Sequence, residues 1–327
     1  MQTLWADRAL TERGWERGVA VALGEDGRIA SVTPGAAPEG RRVGLLLPAP
    51  ANLHSHAFQR AMAGLTEARG PQGRDSFWTW RHAMFRFLAR LTPEDVEAIA
   101  AFVQMEMLEA GYAAVGEFHY LHHQPDGTPY DDPGEMSARI AHAAAGTGIG
   151  LTLLPVLYQQ GGCDGRPLGP GQLRFGCDPD SFATLHAAAG AALADLPADS
   201  VLGVAPHSLR AVTPAGLRAA LALAGDGPVH MHLAEQTAEV EDVRAAHGRR
   251  PAELVLETMP VGPSWCLIHC TQMTPDETRA LAGTGAVAGL CPITEANLGD
   301  GIFDGAGWLA AGGRFGVGSD SNIRVSL

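Results

Sequence analysis

Apolar runs and helical patterns alternate along this 327-residue chain, and their order limits the folds open to it. Eight apolar runs are short enough to be buried strands, near residues 43–53, 112–118, 149–157, 200–206, 228–233, 265–269, 285–291 and 313–318. Segments rich in Ala, Leu, Glu and Arg separate them, and one of these, residues 92–109, begins with a Thr-Pro pair typical of a helix start. Such alternation favours a parallel sheet with helices outside, and eight strands close a TIM-like (β/α)8 barrel. We therefore predict an α/β fold with this barrel over residues 49–327.

The first 48 residues follow a different pattern, in which apolar and polar positions alternate in short pieces. Glu25-Asp26-Gly27 separates residues 19–23 from residues 28–32 and is typical of a β-hairpin turn. We predict a small β module over residues 1–48.

Two long segments, 120–135 and 159–179, follow the second and third barrel strands, and we expect them to shape a pocket.

Four polar motifs stand at the ends of predicted strands: Asn52-Leu-His-Ser-His56, His230-Met-His-Leu-Ala-Glu235, Ile268-His-Cys270 and Gly318-Ser-Asp320. Because side chains alternate along a strand, His54 and His56 point to the same side. The C-terminal ends of barrel strands lie on one face, and barrel enzymes place their reactive groups there. The sequence therefore predicts that these imidazoles and carboxylates meet.

These residue types are typical of a catalytic metal centre, because a catalytic zinc site uses about three or four protein ligands and keeps one position for water. The predicted ligands are His54, His56, His232 and Asp320. His230 shares the inward face with His232, and the glutamate three residues after His232 favours His232 as the ligand. Glu235 is the expected proton carrier, and His269 is expected to hold the attacking water or the substrate. All 23 basic residues are arginine, which excludes a carbamylated lysine between two metals and leaves a single-metal site.

Charge and composition exclude several classes of function. A net charge of −13 argues against nucleic-acid binding, since the phosphate backbone requires a positive surface. No apolar run approaches the length of about 18 residues that a membrane span needs, and the N-terminus has no signal-peptide pattern, so we expect a cytoplasmic protein. The five cysteines are odd in number and scattered, which predicts free thiols. Cys266 and Cys270 are expected to be small buried hydrophobes rather than metal ligands.

The stretch Asn52-Leu-His-Ser-His-Ala-Phe-Gln-Arg-Ala-Met-Ala-Gly-Leu-Thr-Glu67 resembles the amidohydrolase superfamily, in its single-metal branch of deaminases. Its Ala-Phe-Gln-Arg continuation, together with His232-Leu-Ala-Glu-Gln236, is similar to the formimidoylglutamate deiminases in particular. The resemblance implies hydrolysis of the formimino group of N-formimino-L-glutamate to N-formyl-L-glutamate and ammonia, a step of histidine degradation. It also implies one Zn2+ per chain, with Fe2+ or Mn2+ as alternatives, and a homodimer.

The resemblance also implies residue roles. Metal ligation falls to the four residues already predicted, Glu235 protonates the departing nitrogen, and His269 steadies the attacking water while Asp320 receives its proton. Substrate contacts are implied for Gln59, Arg81, Tyr120, His207 and Arg210. Arginine suits a small-molecule dicarboxylate substrate, because a guanidinium binds a carboxylate through two hydrogen bonds. In a chain of net charge −13, the pocket must be locally positive.

The chain departs from the family at its end. Relatives continue past this point through the last barrel helix and through strands that complete an accessory β-sandwich. We therefore expect a chain truncated after barrel strand 8, whose residues 1–48 form the N-terminal half of that sandwich. Two alternatives stand beside the main interpretation. One is another aminohydrolase of the same branch, acting on guanine or an adenosine derivative through an aromatic pocket, and the other is an inactive truncated fragment.

Overall fold

The computed structural model describes residues 2–65 and 77–326, apart from the side chains of residues 77–79, 81 and 82. The chain forms two compact units, Met1–Pro50 and Ala51–Leu327. The first unit is built on a β-sheet, and the second alternates parallel strands with helices. The predicted α/β class is therefore confirmed.

The first unit contains one four-stranded sheet with the order β3-β2-β1-β4. Its strands are β1 (Gln2–Thr11), β2 (Gly14–Leu23), β3 (Ile29–Thr33) and β4 (Arg41–Leu46). Strand β2 pairs antiparallel with both β1 and β3, whereas β4 lies parallel to β1. The turn between β2 and β3 places Gly27 at φ 78°, a conformation that favours glycine, so the predicted hairpin is confirmed. Ala6, Ala9, Val19 and Val21 form the buried core of this separate sheet.

The second unit contains two parallel sheets. The first holds β5 (Ala51–Ser55), β6 (Ala114–His119), β7 (Gly150–Leu157), β8 (Val201–Leu202) and, paired with β7, β9 (Ala205–Pro206). The second holds β10 (Val229–Leu233), β11 (Trp265–His269), β12 (Val287–Leu290) and β13 (Arg314–Val317), in that order. All of these pairs are parallel, so the C-terminal ends of neighbouring strands lie at the same edge.

Isolated bridges connect the two parallel sheets at both margins. Ser55 pairs with Asp320, and Val204 pairs with Val229. At the first margin, the backbone N–H of His56 donates to the carbonyl of Asp320 at 2.9 Å, and the N–H of Asp320 donates to the carbonyl of His54 at 2.9 Å. The described strands therefore follow the predicted order, but the two sheets meet at isolated bridges instead of forming one continuous ladder.

Helices separate the strands. They are α1 (Phe77–Leu88), α2 (Pro93–Ala110), α3 (Glu135–Thr147), α4 (Pro179–Ala192), α5 (Pro214–Ala224), α6 (Thr237–His247), α7 (Pro251–Thr258), α8 (Pro275–Ala282), α9 (Pro292–Leu298) and α10 (Gly305–Ala310), with short 3-10 helices at Ala57–Met62 and Pro170–Phe175. The helix predicted at residues 92–109 is confirmed as α2. The Thr92 hydroxyl caps it by accepting a hydrogen bond from the N–H of Asp95, and Pro93 fits the first turn, where its missing N–H costs nothing.

Two predicted strands are wrong in their extent. The run 43–53 is divided, because β4 ends at Leu46 in the first unit and β5 begins at Ala51 in the second. Pro48 and Pro50 lie between them, and a proline cannot donate to a strand ladder. The run 200–206 is divided into β8 and β9, because the N–H of Val204 donates across to the carbonyl of Pro228 at 3.0 Å.

A large apolar core fills the second unit, with Trp308, Phe58, Phe118 and Phe182 among its largest fully buried side chains, and a smaller separate cluster is formed by Cys266, Ile268 and Cys291. The five cysteines are free, as predicted, and four of them are buried. None of the helices seen in the described chain combines the length and the apolar character that crossing a membrane requires.

Candidate metal and catalytic site

Three histidines and one aspartate from opposite sheets meet at the C-terminal ends of their strands. They are His54 on β5, His56 directly after β5, His232 on β10, and Asp320 after β13. Their ligand atoms all lie within 4.8 Å of one another. Asp320 Oδ1 is 3.5 Å from His54 Nε2 and 3.3 Å from His56 Nε2, and the Nε2 atoms of His54 and His232 are 3.1 Å apart. The structure thus brings together the four residues predicted to be metal ligands.

A buried polar network fixes the margin where His54, His56 and Asp320 meet. Asn52 donates through Nδ2 to Ser319 Oγ at 2.6 Å and accepts through Oδ1 from the N–H of Ser319 at 3.1 Å. Ser319 Oγ donates in turn to Asn322 Oδ1, and Asn322 Nδ2 donates to Ser55 Oγ at 3.1 Å. These four residues flank the ligands, so the network holds the ends of β5 and β13 in register.

Asp320 has a left-handed backbone, with φ 51°, which an L-residue adopts at a cost. The two backbone hydrogen bonds to His54 and His56 hold that conformation. Together they aim the Asp320 carboxylate at the imidazoles of His54 and His56.

The imidazoles of the cluster are held in the form that a metal needs. Burial, followed by the nearby His56, lowers the pKa of His54 to about 3, and burial lowers the pKa of His232 well below its ordinary value. The Nδ1 atoms of His56 and His232 lie 2.9 Å and 3.0 Å from the carbonyls of Phe118 and His207. Each Nδ1–H therefore donates to a carbonyl, which leaves the Nε2 lone pair directed at the centre.

Glu235 and His269 lie beside this cluster. His269 Nε2 is 3.8 Å from Glu235 Oε1 and 4.0 Å from Asp320 Oδ2. Burial opposes a charge on His269, but the carboxylates of Glu235, Glu295 and Asp320 outweigh it and raise the pKa of the imidazole to about 10. The other oxygen of Glu235, Oε2, accepts a hydrogen bond from Arg210 at 3.2 Å. The predicted proton carrier and the predicted water-holding histidine are thus adjacent.

Sequence reasoning missed three buried glutamates that support this site. Glu295 Oε1 lies 3.2 Å from His269 Nδ1 and accepts from the N–H of Cys291 at 2.7 Å. Glu239 accepts from the N–H groups of Ala234 and Glu235 at 3.1 Å and 3.0 Å. Glu117 Oε1 accepts from the N–H of Ala57, next to His56, at 2.6 Å, and burial raises the pKa of its carboxyl group to about 7.

The sequence contains only weak signals that could have identified these glutamates. Glu239 and Glu295 stand in the first turns of helices that follow strand ends, where an acidic residue is common for helix-dipole reasons alone.

A pocket opens over the cluster and contains four of the five predicted substrate contacts: Gln59, Tyr120, His207 and Arg210. Gln59 Nε2 donates to the Tyr120 hydroxyl at 2.6 Å. Arg81 lies on α1, and its side chain is outside the described residues. Further residues of the wall were not predicted, namely Trp80, Tyr158, Phe175, Cys163 and Arg166. Cys163 and Arg166 belong to the long segment 159–179, which therefore contributes to the pocket as expected.

His230 does not join the cluster. It precedes His232 by two residues on β10 and is 6% exposed, but it is not among the residues whose ligand atoms meet. Burial lowers its pKa to about 4, so its imidazole is neutral in the interior. The structure therefore groups His232, and not His230, with His54 and His56.

A second group of metal-ligand types consists of His269, Cys291 and Glu295. Burial and the neighbouring carboxylates of Asp320 and Glu295 raise the pKa of the Cys291 thiol well above its ordinary value. Only a thiolate binds a metal well. Glu295 Oε1 links the group, since it lies 3.2 Å from His269 Nδ1 and accepts from the N–H of Cys291, and we interpret the group as a structural support for His269.

Comparison with known protein families gives two matches along the chain. Residues 45–327 match the model described as "Amidohydrolase family", and residues 1–41 match "Formimidoylglutamate deiminase HutF, N-terminal domain". A formimidoylglutamate deiminase from Pseudomonas aeruginosa is 50% identical over 330 residues, which span 100% of this chain and 72% of the relative.

Solved structures agree with these matches. A crystal structure of an amidohydrolase from Brucella melitensis superposes with a TM-score of 0.96 at 50% identity, over 100% of this chain and 73% of that one. An adenosine deaminase from Xanthomonas campestris, solved with bound zinc, gives a TM-score of 0.79 at 20% identity, over 99% and 70% of the two chains. At that low identity the second likeness shows the fold alone.

Proposed function

Because this chain belongs to the amidohydrolase family, we propose that it hydrolyses the formimino group of N-formimino-L-glutamate, releasing N-formyl-L-glutamate and ammonia. The observation on which the proposal rests is the 50% identity over the whole chain to a formimidoylglutamate deiminase, reinforced by the match of residues 1–41 to the N-terminal domain of the same enzymes. The reaction is a hydrolysis of a carbon–nitrogen bond, in which one water replaces the imino nitrogen.

The proposed metal ligands are His54, His56, His232 and Asp320. Three buried imidazoles and one carboxylate fit zinc, and they also fit iron or manganese. We propose zinc, with one ion per chain. Such an ion lowers the pKa of water and polarises the carbon under attack.

The proton transfers are assigned to the residues next to the ligands. Asp320 takes the proton that the attacking water loses, and its Oδ2 faces His269 Nε2 at 4.0 Å. His269, held at Nδ1 by Glu295, donates through Nε2–H and keeps the water in line with the substrate carbon. Glu235 carries one of the water's two protons to the imino nitrogen and Asp320 passes on the other, so the N–H gains both hydrogens and leaves as ammonia while the water oxygen stays on the carbon. The Arg210 contact at Glu235 Oε2 leaves Oε1 facing the reaction centre.

Substrate binding is assigned to the pocket wall. Arg210 and Arg81 are proposed to neutralise the two carboxylates of the substrate, with Gln59, Tyr120 and His207 as hydrogen-bonding partners. Gln59 and Tyr120 already bond to each other, so both side chains are oriented before substrate arrives. The proposal includes a homodimer and a cytoplasmic location, and it includes no nucleic-acid partner because the net charge is −13.

The test is ammonia release by the purified chain, with metal content measured on the same sample. N-formimino-L-glutamate, guanine and adenosine are assayed in parallel, and light scattering gives the oligomeric state. Ammonia from the first substrate alone, with one metal per chain, supports the proposal. Ammonia from guanine or adenosine supports the alternative aminohydrolase, and no ammonia from any of the three supports the inactive-fragment alternative.

A further inference from the structure

Glu239 is a buried carboxylate outside the reaction centre. It is 2% exposed and lies in the first turn of α6, immediately after the segment that contains Glu235. Both carboxylate oxygens accept backbone hydrogen bonds, Oε1 from Ala234 at 3.1 Å and Oε2 from Glu235 at 3.0 Å. A buried carboxylate needs such partners, because an uncompensated buried charge is costly.

The segment that Glu239 holds is strained. Ala234 has φ 50°, in the left-handed region that a residue with a Cβ rarely adopts. Thr271 clamps the same segment from the other side, since its hydroxyl lies within hydrogen-bond distance of the Ala234 and Glu235 carbonyls. Strained backbone persists only where the surroundings determine it. Glu239 and Thr271 together fix both the N–H and the C=O groups that set the direction of Glu235.

Glu239 is also an electrostatic partner of Arg210. Burial opposes the charge of that guanidinium, but the carboxylates of Glu239 and Glu235 raise its pKa above the ordinary value. Arg210 in turn counteracts the burial that raises the pKa of Glu239. The charge of Arg210 is thus shared between the carboxylates of Glu239 and Glu235, and neither carboxylate neutralises it alone.

We propose that Glu239 is a positioning residue for the reaction. It holds the backbone of Glu235 in the strained turn after β10 and shares the Arg210 guanidinium with it, so that Glu235 Oε1 faces the reaction centre. This inference rests on the proposed function in that Glu235 is taken as the proton carrier. Glu239 itself touches neither the cluster of ligands nor the pocket among the described residues.

Glu277 offers a matched control. It holds the same place in the first turn of another helix, α8, and is 4% exposed. It also accepts a backbone hydrogen bond, from the N–H of Thr274 at 2.7 Å, and pairs with Arg250 at 3.0 Å. Because it contacts no predicted catalytic residue, Glu277→Gln reports the cost of losing such a carboxylate without the positioning effect.

The experiment is a double-mutant cycle in the full chain with its metal. Glu239→Gln keeps the shape of the side chain, and we expect kcat for N-formimino-L-glutamate to fall about 10-fold to 100-fold, the loss typical when a group that orients a site residue is removed. Metal content should stay at one ion per chain, and the melting temperature should fall no further than in Glu277→Gln, which should keep kcat. In a Glu235→Gln background, adding Glu239→Gln should lower kcat no further, because the two residues act as one unit.

Hydrogen exchange at the Ala234 and Glu235 amides gives a readout that needs no activity. We expect it to accelerate about 10-fold or more in Glu239→Gln, because a charged hydrogen-bond acceptor has been lost. Unchanged exchange would overturn the inference, as would a kcat loss that adds fully to that of Glu235→Gln. If the parent chain releases no ammonia, the proposed function fails, and the exchange result still decides whether Glu239 holds this segment.

Discussion

Gly318 directly follows β13 and lies against the backbone of the predicted ligand His54. A Cβ placed on Gly318 would stand 2.7 Å from His54 Cβ and 2.9 Å from both its backbone nitrogen and its carbonyl oxygen. Ordinary contact begins at 3.4 Å, so Gly318→Ala must separate the two backbones by about 0.7 Å at the closest point. Backbone atoms of a strand cannot rotate aside as the tip of a side chain can. The displacement therefore acts directly on His54.

We expect Gly318→Ala to destabilise the protein by about 1–3 kcal/mol, the usual cost of an extra methyl in a packed interior. Because His54 moves with its backbone, its Nε2 leaves the position that faces Asp320 and His232, and metal affinity should fall about 10-fold to 100-fold. The loss of metal affinity is measured by equilibrating the purified variant with increasing concentrations of a chelator, followed by metal analysis and an ammonia assay.

Gly146→Ala is the matched control. Gly146 is in α3, where an added Cβ meets nothing within 4 Å, so the same chemical change should leave metal binding unchanged. It should stabilise the helix by up to about 1 kcal/mol, since glycine is a poor helix former. If Gly318→Ala binds metal and melts as the parent does, the close approach of β13 does not position His54, and the reasoning from backbone contact fails.

Three further predictions concern single carboxylates. Glu235→Gln should keep one metal per chain but lower kcat about 10²-fold to 10⁴-fold, the usual contribution of a general acid. Retention of full activity would remove Glu235 from the mechanism. The control is Glu257→Gln, at an exposed glutamate. Glu295→Gln should lower kcat with little change in metal content, because His269 loses the carboxylate at Nδ1; a variant that loses its metal instead would show that Glu295 supports the ligands. Burial raises the pKa of Asp300 from 3.8 to about 7, so its favourable contribution is complete below pH 3.8 and is lost as pH rises through about 7. Asp300→Asn should therefore melt higher than the parent at pH 8 and equally at pH 4, and parallel melting curves across that range would contradict the assignment.

The grouping of the predicted ligands could be foreseen from sequence because it depends on two simple regularities. Side chains two apart on a strand share a face, which places His54 beside His56. The C-terminal ends of parallel strands share an edge, which brings the end of β10 and the residue after β13 to the same centre. Neither regularity depends on the exact length of a strand. The wrong extents of the strands predicted near residues 43–53 and 200–206 therefore did not affect the predicted grouping of the ligands.

The supporting residues could not be foreseen in this way. Glu295 and His269 are 26 residues apart, and their contact depends on where α9 begins after β12. Glu239 accepts hydrogen bonds from the turn at Ala234, whose left-handed backbone conformation is not predicted by the residue type alanine. Both contacts belong to tertiary geometry, where a few ångströms decide whether a first-turn glutamate faces solvent or a buried N–H. A sequence pattern has no measure of that distance.

Charge balance links the fold to the proposed chemistry. Five buried carboxyl groups lie in or around the centre, those of Asp320, Glu235, Glu239, Glu295 and Glu117, and burial raises the pKa of Glu117 to about 7, so below that pH only the other four are counted as charged. Among the described residues, Arg210 and a protonated His269 are the cations that face them, so four negative charges against two positive ones leave two negative charges. Burying such an excess is strongly unfavourable, and the charge of one divalent ion cancels it. The same charge count explains how an acidic chain can bind a dianionic substrate. Arg210 attracts a carboxylate of the substrate only if a metal ion balances the carboxylates of the site.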